Sequence, residues 1–392
     1  MKKSYFSILV LVFILFSAGP GPGEGWAGQG SGNVFEMPGV VLSVDNTQLI
    51  QAGIANIGVQ LTRVMLTAGE HKGKIVMADN HMMGQLDLDE IYRPGDTLLL
   101  AVQIIDHEIT NAKAINKFRQ NWELILFAVF AVVLVIYSKT VGIKALLSFV
   151  ASLLILWYVY LPNLLAGKEP LLLSIVVLIL LSMVIIFSVA GFTRKGLAAF
   201  IGTISGLMVT LGLTLFFGSK LRLMGMTTPF STTLIMNGHF DLNMQHIFYS
   251  AVLLGASGAA MDIAMDVSAS MNEIKVKRPD ISTRELIQSG HTIGRTVIGT
   301  MATTLLLAYS GGYLTMLMVF VSQETSATRI VNMKIVAAEI FRVLIGSIGL
   351  LMVAPVTAVV AGLLFGLSVD RLSWKRLLPR PGGDGKVPPT TL

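Results

Sequence analysis

PLLLSIVVLILLSMVIIFSVAGFT, residues Pro170 to Thr193, runs between Glu169 and Arg194 without one charged side chain. A helix of about 20 apolar residues, rising 1.5 Å per residue, crosses the roughly 30 Å hydrocarbon layer of a bilayer. This stretch is long enough to do so. Working outward, further uncharged windows lie between Lys144 and Lys168, Lys195 and Lys220, Asp241 and Asp262, Arg295 and Glu324, and Arg342 and Asp370. A shorter apolar run, Leu124 to Ser138, has Trp122 and Tyr137 at its ends, side chains that suit a membrane interface and extend the run. The pattern predicts a mostly α membrane protein, with about seven transmembrane helices in a domain over residues 122–368.

Composition agrees. Of 392 residues, 53% are hydrophobic and 13% charged, against about 25% charged in soluble domains. No cysteine is present, which excludes disulfides, thiolate chemistry and cysteine-ligated zinc. The net charge of +6 would suggest nucleic acid in a soluble chain. Here the basic residues sit in short loops between apolar windows, so no nucleic acid is expected and they read as topology signals.

Met1, Lys2 and Lys3 precede an apolar run from Tyr5 to Phe16 and a Gly/Pro-rich stretch, the layout of a signal peptide or signal anchor over 1–27. Residues 34–105 then change texture. Val40 to Val44, Ile57 to Val64, Gly73 to Met77 and Thr97 to Ile104 read as strands broken by turn residues, predicting a small extracytoplasmic β domain of four or five strands. Residues 106–121 are expected to form a connecting helix. An exported β domain makes the first span run inward, and alternation fixes the remainder. On that topology the inner loops and the tail at 369–392 carry fourteen Lys and Arg, the outer loops five. This is the asymmetry of a bacterial inner-membrane protein with a basic cytoplasmic C-terminus.

Polar side chains inside apolar windows are the candidate functional residues, because a charge in hydrocarbon costs about 2.5–3.5 kcal/mol on insertion scales and is usually turned to a cavity or a partner. Asp262, Asp266 and Ser270 recur at i, i+4 and i+8 on one helix face. Counted inward from His246, Asp262 falls about one turn inside the hydrocarbon and Asp266 near its inner boundary. An early end to the span, with both aspartates solvated or paired with Arg295, is the plainer reading. Thr300 and Thr303 line hydroxyls along the next window before Tyr309-Ser310-Gly311-Gly312 interrupts it. Hydroxyls coordinate polar cargo, but they equally bond their own helix carbonyls. Glu339 and Arg342, an i, i+3 acid and base, can neutralise each other. Asp262, Asp266, Arg295, Thr300, Thr303, Glu339 and Arg342 together make a candidate intramembrane polar path.

Other signals carry less. Gly202 and Gly206, Gly255 and Gly258, and Gly362 and Gly366 have the spacing of close helix packing, the commoner use of such residues. His239, Asp241 and His246 fix no ligand geometry, so no metal or cofactor is expected. Gly69 to Lys74 lacks the spacing of a phosphate loop, and neither Gly-x-Ser-x-Gly nor His-Glu-x-x-His occurs. The chain is not expected to be an enzyme.

Gly255-Ala256-Ser257-Gly258-Ala259-Ala260-Met261-Asp262-Ile263-Ala264-Met265, then Ser289-Gly290-His291-Thr292-Ile293-Gly294-Arg295, Gly299-Thr300-Met301 leading to Leu306-Leu307-Ala308-Tyr309, and a block from Glu339 to Pro355 resemble the YibE/F family of bacterial multi-pass membrane proteins. The likeness extends over most of the chain after about residue 34. It implies a multi-pass fold and little about activity, since the family is essentially uncharacterised. The resemblance leads one to expect an acid after the Gly-Arg pair and an amide in the Gly-Thr-Met segment, where this chain has Thr296 and Thr303. A polar site built from those groups would be altered here.

Two functions are consistent with these residues: a permease-like or export-related protein with the polar path as its conduit, and a non-transporting scaffold or sensor whose exported β domain binds an envelope partner. Expected partners are the lipid bilayer, a second copy of the chain, and that envelope partner.

Overall fold

The computed structural model describes residues 33–86, 88–105 and 108–366. The signal segment at 1–27 and the basic tail at 369–392 lie outside the described residues. The chain forms two compact units, Met1–Gly142 and Ile143–Leu392.

The described residues of the first unit form six strands: β1 (Asn33–Asp45), β2 (Leu49–Ala52), β3 (Ala55–Leu66), β4 (Ile75–Met83), β5 (Thr97–Ile105) and β6 (Glu108–Lys117). β1 pairs with β5 through Val40 and with β3 from Gly39 onward, so it serves both neighbours and bends at a bulge between Val41 and Ser43. A Cβ at Gly39 would stand 2.6 Å from the Val64 side chain, which is why the crossing residue is glycine. β5 pairs with β6 along its length, and β6 closes on β4 in parallel at Asp79 and Lys113. A long bent first strand shared by two partners, with a parallel closing pair, is the connectivity of a five-stranded OB-type barrel, β2 being a hairpin extension of β3. Period-two alternation fills it: Leu98, Leu100 and Val102 of β5 point inward with Val64, Leu66, Ala78, Ala112 and Ala114.

β6 corrects the connecting helix expected over 106–121. Ala112 and Ala114 alternate into the core, and the strand supplies the ladder that β5 would otherwise lack. A polar stretch hides such a strand because only two small side chains, with Ile109 partly buried beside them, mark its inward face. One amide network lies inside the barrel: the Gln60 side chain donates to Asn46 Oδ1 (2.8 Å) and the Tyr92 carbonyl (3.0 Å) and accepts from Asn80 Nδ2 (3.1 Å) and the Tyr92 N–H (3.0 Å). It ties the 84–96 loop to the sheet, with both the oxygen and the nitrogen of the buried Gln60 amide satisfied.

α1 (Gln120–Leu154) begins in this unit, and a short π-helix (Ile155–Tyr160) and α2 (Leu161–Leu165) continue it. Within α1, Lys139 has φ 49° and ψ −122°, outside helical values. The second unit comprises α3 (Pro170–Ala190), α4 (Arg194–Leu221), α5 (Ser231–Met236), α6 (Met244–Lys277), α7 (Thr283–Gly312), α8 (Leu314–Ser322), α9 (Ala327–Asn332) and α10 (Lys334–Gly366). Among the described residues, five segments are long and apolar enough to cross a membrane: 120–165, α3, α4, α6 and α10. α7 and α8, bent by 68° at Tyr313, pass the same test as a pair.

α6 is the hub. It packs on α3, α4, α7 and α10, while α4 packs on both α3 and α10 and α7 packs on α10. Gly202 and Gly206 of α4 lie against Thr357 and Val353 of α10, Gly349 of α10 against Thr210, and Gly362 and Gly366 against Ile287 and Thr283 of α7; a Cβ at any of them would overlap its neighbour. These glycines serve close packing. Gly258 is different, with nothing within 4 Å of where its Cβ would stand.

Candidate functional site

α6 starts where the Asn243 side chain accepts from the His246 N–H (3.0 Å) and continues unbroken to Lys277. Its buried face carries Phe248, Val252, Leu253, Ala256, Ala260, Ile263, Val267 and Met271. Its exposed face carries Ala251, Gly255, Gly258, Asp262, Asp266, Ala269 and Glu273, one stripe at helical spacing. α7 opens earlier than the uncharged window suggests. Ser282 and Glu285 form a reciprocal capping box, so the helix begins at Thr283 and Arg295 stands within it, not at a span's edge.

α6 and α7 run antiparallel, with Gly290 against Met271 and Gly294 against Val267. Arg295 therefore shares a level with Asp266, and Gly299 with Asp262, about 6 Å along the axis at 1.5 Å per residue. Asp262, Asp266, Arg295, Thr300 and Thr303 are all exposed. Among the described residues the three charged ones have no ion pair within 4.0 Å. Pairing of either aspartate with Arg295 inside one chain is thus not observed. Thr300 Oγ1 donates to the Val297 carbonyl (2.9 Å), and Thr303 Oγ1 donates to the Gly299 and Thr300 carbonyls (both 3.1 Å). The hydroxyls satisfy themselves within their helix, which leaves their oxygens able to accept.

Glu339 and Arg342 form a separate cluster. Arg342 Nη1 lies 3.3 Å from Glu339 Oε1, and their side chains are only 19% and 14% exposed. Tyr313, at the bend between α7 and α8, donates its hydroxyl to the same Glu339 Oε1 (2.6 Å). The Arg342 guanidinium sits 5.7 Å above the Phe248 ring. Glu339 Oε2 and Arg342 Nε are buried without a hydrogen-bond partner, so one acceptor and one donor are unused. Thr303 stands between the two groups, ten residues before Tyr313 on α7, about 15 Å at helical rise.

Tyr313 and Phe248 escape a reading of the sequence. Tyr313 follows the Gly311-Gly312 pair that marks the break, which is the one local hint; Phe248 reads as core and is also core. His246, grouped by sequence with His239 and Asp241, instead pairs through Nδ1 with Glu169 Oε1 (2.6 Å), joining the starts of α6 and α3. Among the described residues no three His, Asp or Glu side chains converge as a metal site would require.

A family model described as YibE/F-like protein matches residues 126–367. The matched segment holds every residue of both clusters and leaves the β barrel outside, so the likeness is narrower than the sequence reading from about residue 34. No curated protein and no solved structure matches the chain. The match spans well over half of the sequence, and the chain belongs to the YibE/F-like family.

Proposed function

We propose that this protein is a permease-like protein of the bacterial inner membrane, not an enzyme, moving a small polar or protonic cargo along α6, α7 and α10. Its seven spans count the 120–165 segment as two, divided at Lys139, and the bent α7–α8 pair as one. At about 69 Å of helical rise, 46 residues exceed two hydrocarbon thicknesses. The barrel faces outside and the tail lies in the cytoplasm, as the loop charges favour.

One observation supports the conduit: polar and charged side chains occur at successive levels, from Asp266 and Arg295 through Asp262, Thr300 and Thr303 to the Tyr313–Glu339–Arg342 cluster with its unused acceptor and donor, the carboxylates and hydroxyls among them able to hold a proton or cation. The cargo tested first is the proton. In proteoliposomes carrying an internal pH dye, an imposed membrane potential drives proton entry through the unaltered chain, and Asp262→Asn lowers the rate at least tenfold. Equal rates in folded Asp262→Asn and unaltered protein would overturn the role of Asp262.

A second reading, the scaffold, draws on the barrel. Backbone pairing of β6 with β4 is limited to Asp79 and Lys113, which leaves an open seam walled by Lys74–Met77 and Glu108–Ala112. Such a seam suits an extended segment of an envelope partner, added by strand pairing. Deleting residues 33–118 abolishes partner capture on this reading; a chain that conducts no protons in either form favours it over the permease.

A further inference from the structure

α6 touches α3, α4, α10 and α7 in turn, and α3 and α7 do not pack closely on each other. The exposed stripe of α6 is thus the floor of a trough with α3 and α7 as its walls. That floor contains no aliphatic side chain larger than alanine. It offers Gly255, Gly258, Asp262 and Asp266, where α3 turns Leu172, Val176 and Met183 outward. Lipid chains gain nothing from glycines and carboxylates, and polar residues on membrane helices are turned to protein or water. The outer face of α7 is equally unsuited to lipid: Gln288, Thr292, Arg295 and Gly299 follow one another at i, i+4, i+7 and i+11, all exposed.

We infer that a second copy of the chain covers this trough, α7 of each copy lying in the trough of the other about a twofold axis along the membrane normal. Such an axis preserves depth. Because Asp266 and Arg295 share a level within one chain, Arg295 of one copy arrives at the depth of Asp266 on the other, one turn from Asp262, and the reciprocal pair forms by symmetry. Gly258 supplies the room for helices to approach. Charge complementarity selects this occupant over the chain's own first apolar segment, since residues 120–138 contain no Lys or Arg to answer the aspartates. The inference does not depend on transport.

The absence of cysteine makes the test direct. Differently tagged chains carrying Gly258→Cys and Ala302→Cys, four residues from Asp262 and seven from Arg295, are co-expressed and oxidised in native membranes. A disulfide joining the two tags is expected, with at least a fivefold lower yield when Val176→Cys on the outward face of α3 replaces Gly258→Cys. Charge exchange then tests the pairing. Asp266→Arg in both chains, or Arg295→Asp in both, lowers the cross-link at least fivefold. Asp266→Arg in one and Arg295→Asp in the other restores it, because both intermolecular pairs are again opposite. Gly258→Cys and Ala302→Cys in chains of unaltered charge need no folding assumption: cross-linking no greater than the Val176 control overturns the dimer. Cross-linking indifferent to the charge exchanges overturns the Asp266–Arg295 pairing, and disulfides formed instead to a cysteine placed within 120–138 of the same chain assign the trough to that helix and overturn the inference.

Discussion

The two polar groupings of the helical unit treat charge in opposite ways. At one, Glu339, Arg342 and Tyr313 are partly buried together, and acid, base and hydroxyl meet within one chain. At the other, Asp262, Asp266 and Arg295 stand exposed on α6 and α7 with no ionic partner among the described residues. The difference teaches where the fold depends on polar contacts. A buried charge without its partner is strongly destabilising, whereas one exposed on the single chain contributes little to that chain's own fold and is free to pair elsewhere.

The largest expected effect breaks the paired end. Arg342→Met leaves the partly buried Glu339 with the tyrosine alone, and should cost up to about 3–5 kcal/mol in a reversible unfolding titration from mixed micelles. Arg342→Met with Glu339→Gln should recover most of it, and a double variant as unstable as the single one would contradict the pairing. Against this, Asp262→Asn should shift the same titration by no more than about 0.5 kcal/mol, the range of substitutions away from structural contacts; a larger loss would mean that Asp262 is structural.

A smaller contrast sharpens the same comparison through glycine. Gly206→Ala forces a methyl onto Val353 and should cost about 1–3 kcal/mol as overpacking. Gly258→Ala meets empty space and should stay within about 0.5 kcal/mol for the folded chain. Equal costs at the two sites would show that the open face of α6 is packed within the monomer.

The smallest effect lies in the barrel and is one of pH. The Lys117 ammonium, 2.6 Å from Asp96, holds that carboxyl below its usual range. A depressed carboxylate stabilises the fold above its unfolded value of 3.8, and that contribution disappears as the pH falls through the lower folded value. Protection factors at β5 and β6, corrected for the intrinsic pH dependence of amide exchange, should therefore fall modestly on acidification below about pH 4, the unperturbed carboxylate range. Asp96→Asn should remove that part of the dependence.

Much of the architecture was legible because helices in a membrane satisfy their own backbones and so declare themselves by length and hydropathy alone. Pro170–Thr193, the barrel's strong strands and the i, i+3 pair at Glu339 and Arg342 are local statements of this kind. Strand β6 was not legible, because a strand is stabilised by its neighbours and six of its ten residues are polar, with only Ile109, Ala112, Ala114 and Ile115 apolar. The start of α7 was missed for a related reason: charge marks where a window ends, while the Ser282–Glu285 cap marks where a helix begins, some twelve residues earlier.

The sequence by itself determined that apolar helices dominate, that a β domain precedes them, and which polar residues interrupt them, since these follow from periodicity and the solvation of single side chains. Only the tertiary structure decided which of those residues meet. Tyr313 reaches Glu339 through a bend between helices, and Asp266 comes level with Arg295 through the packing of Gly290 and Gly294. Whether a polar group is paired or left open depends on which face its helix turns to a neighbour, and no spacing along one chain segment contains that information.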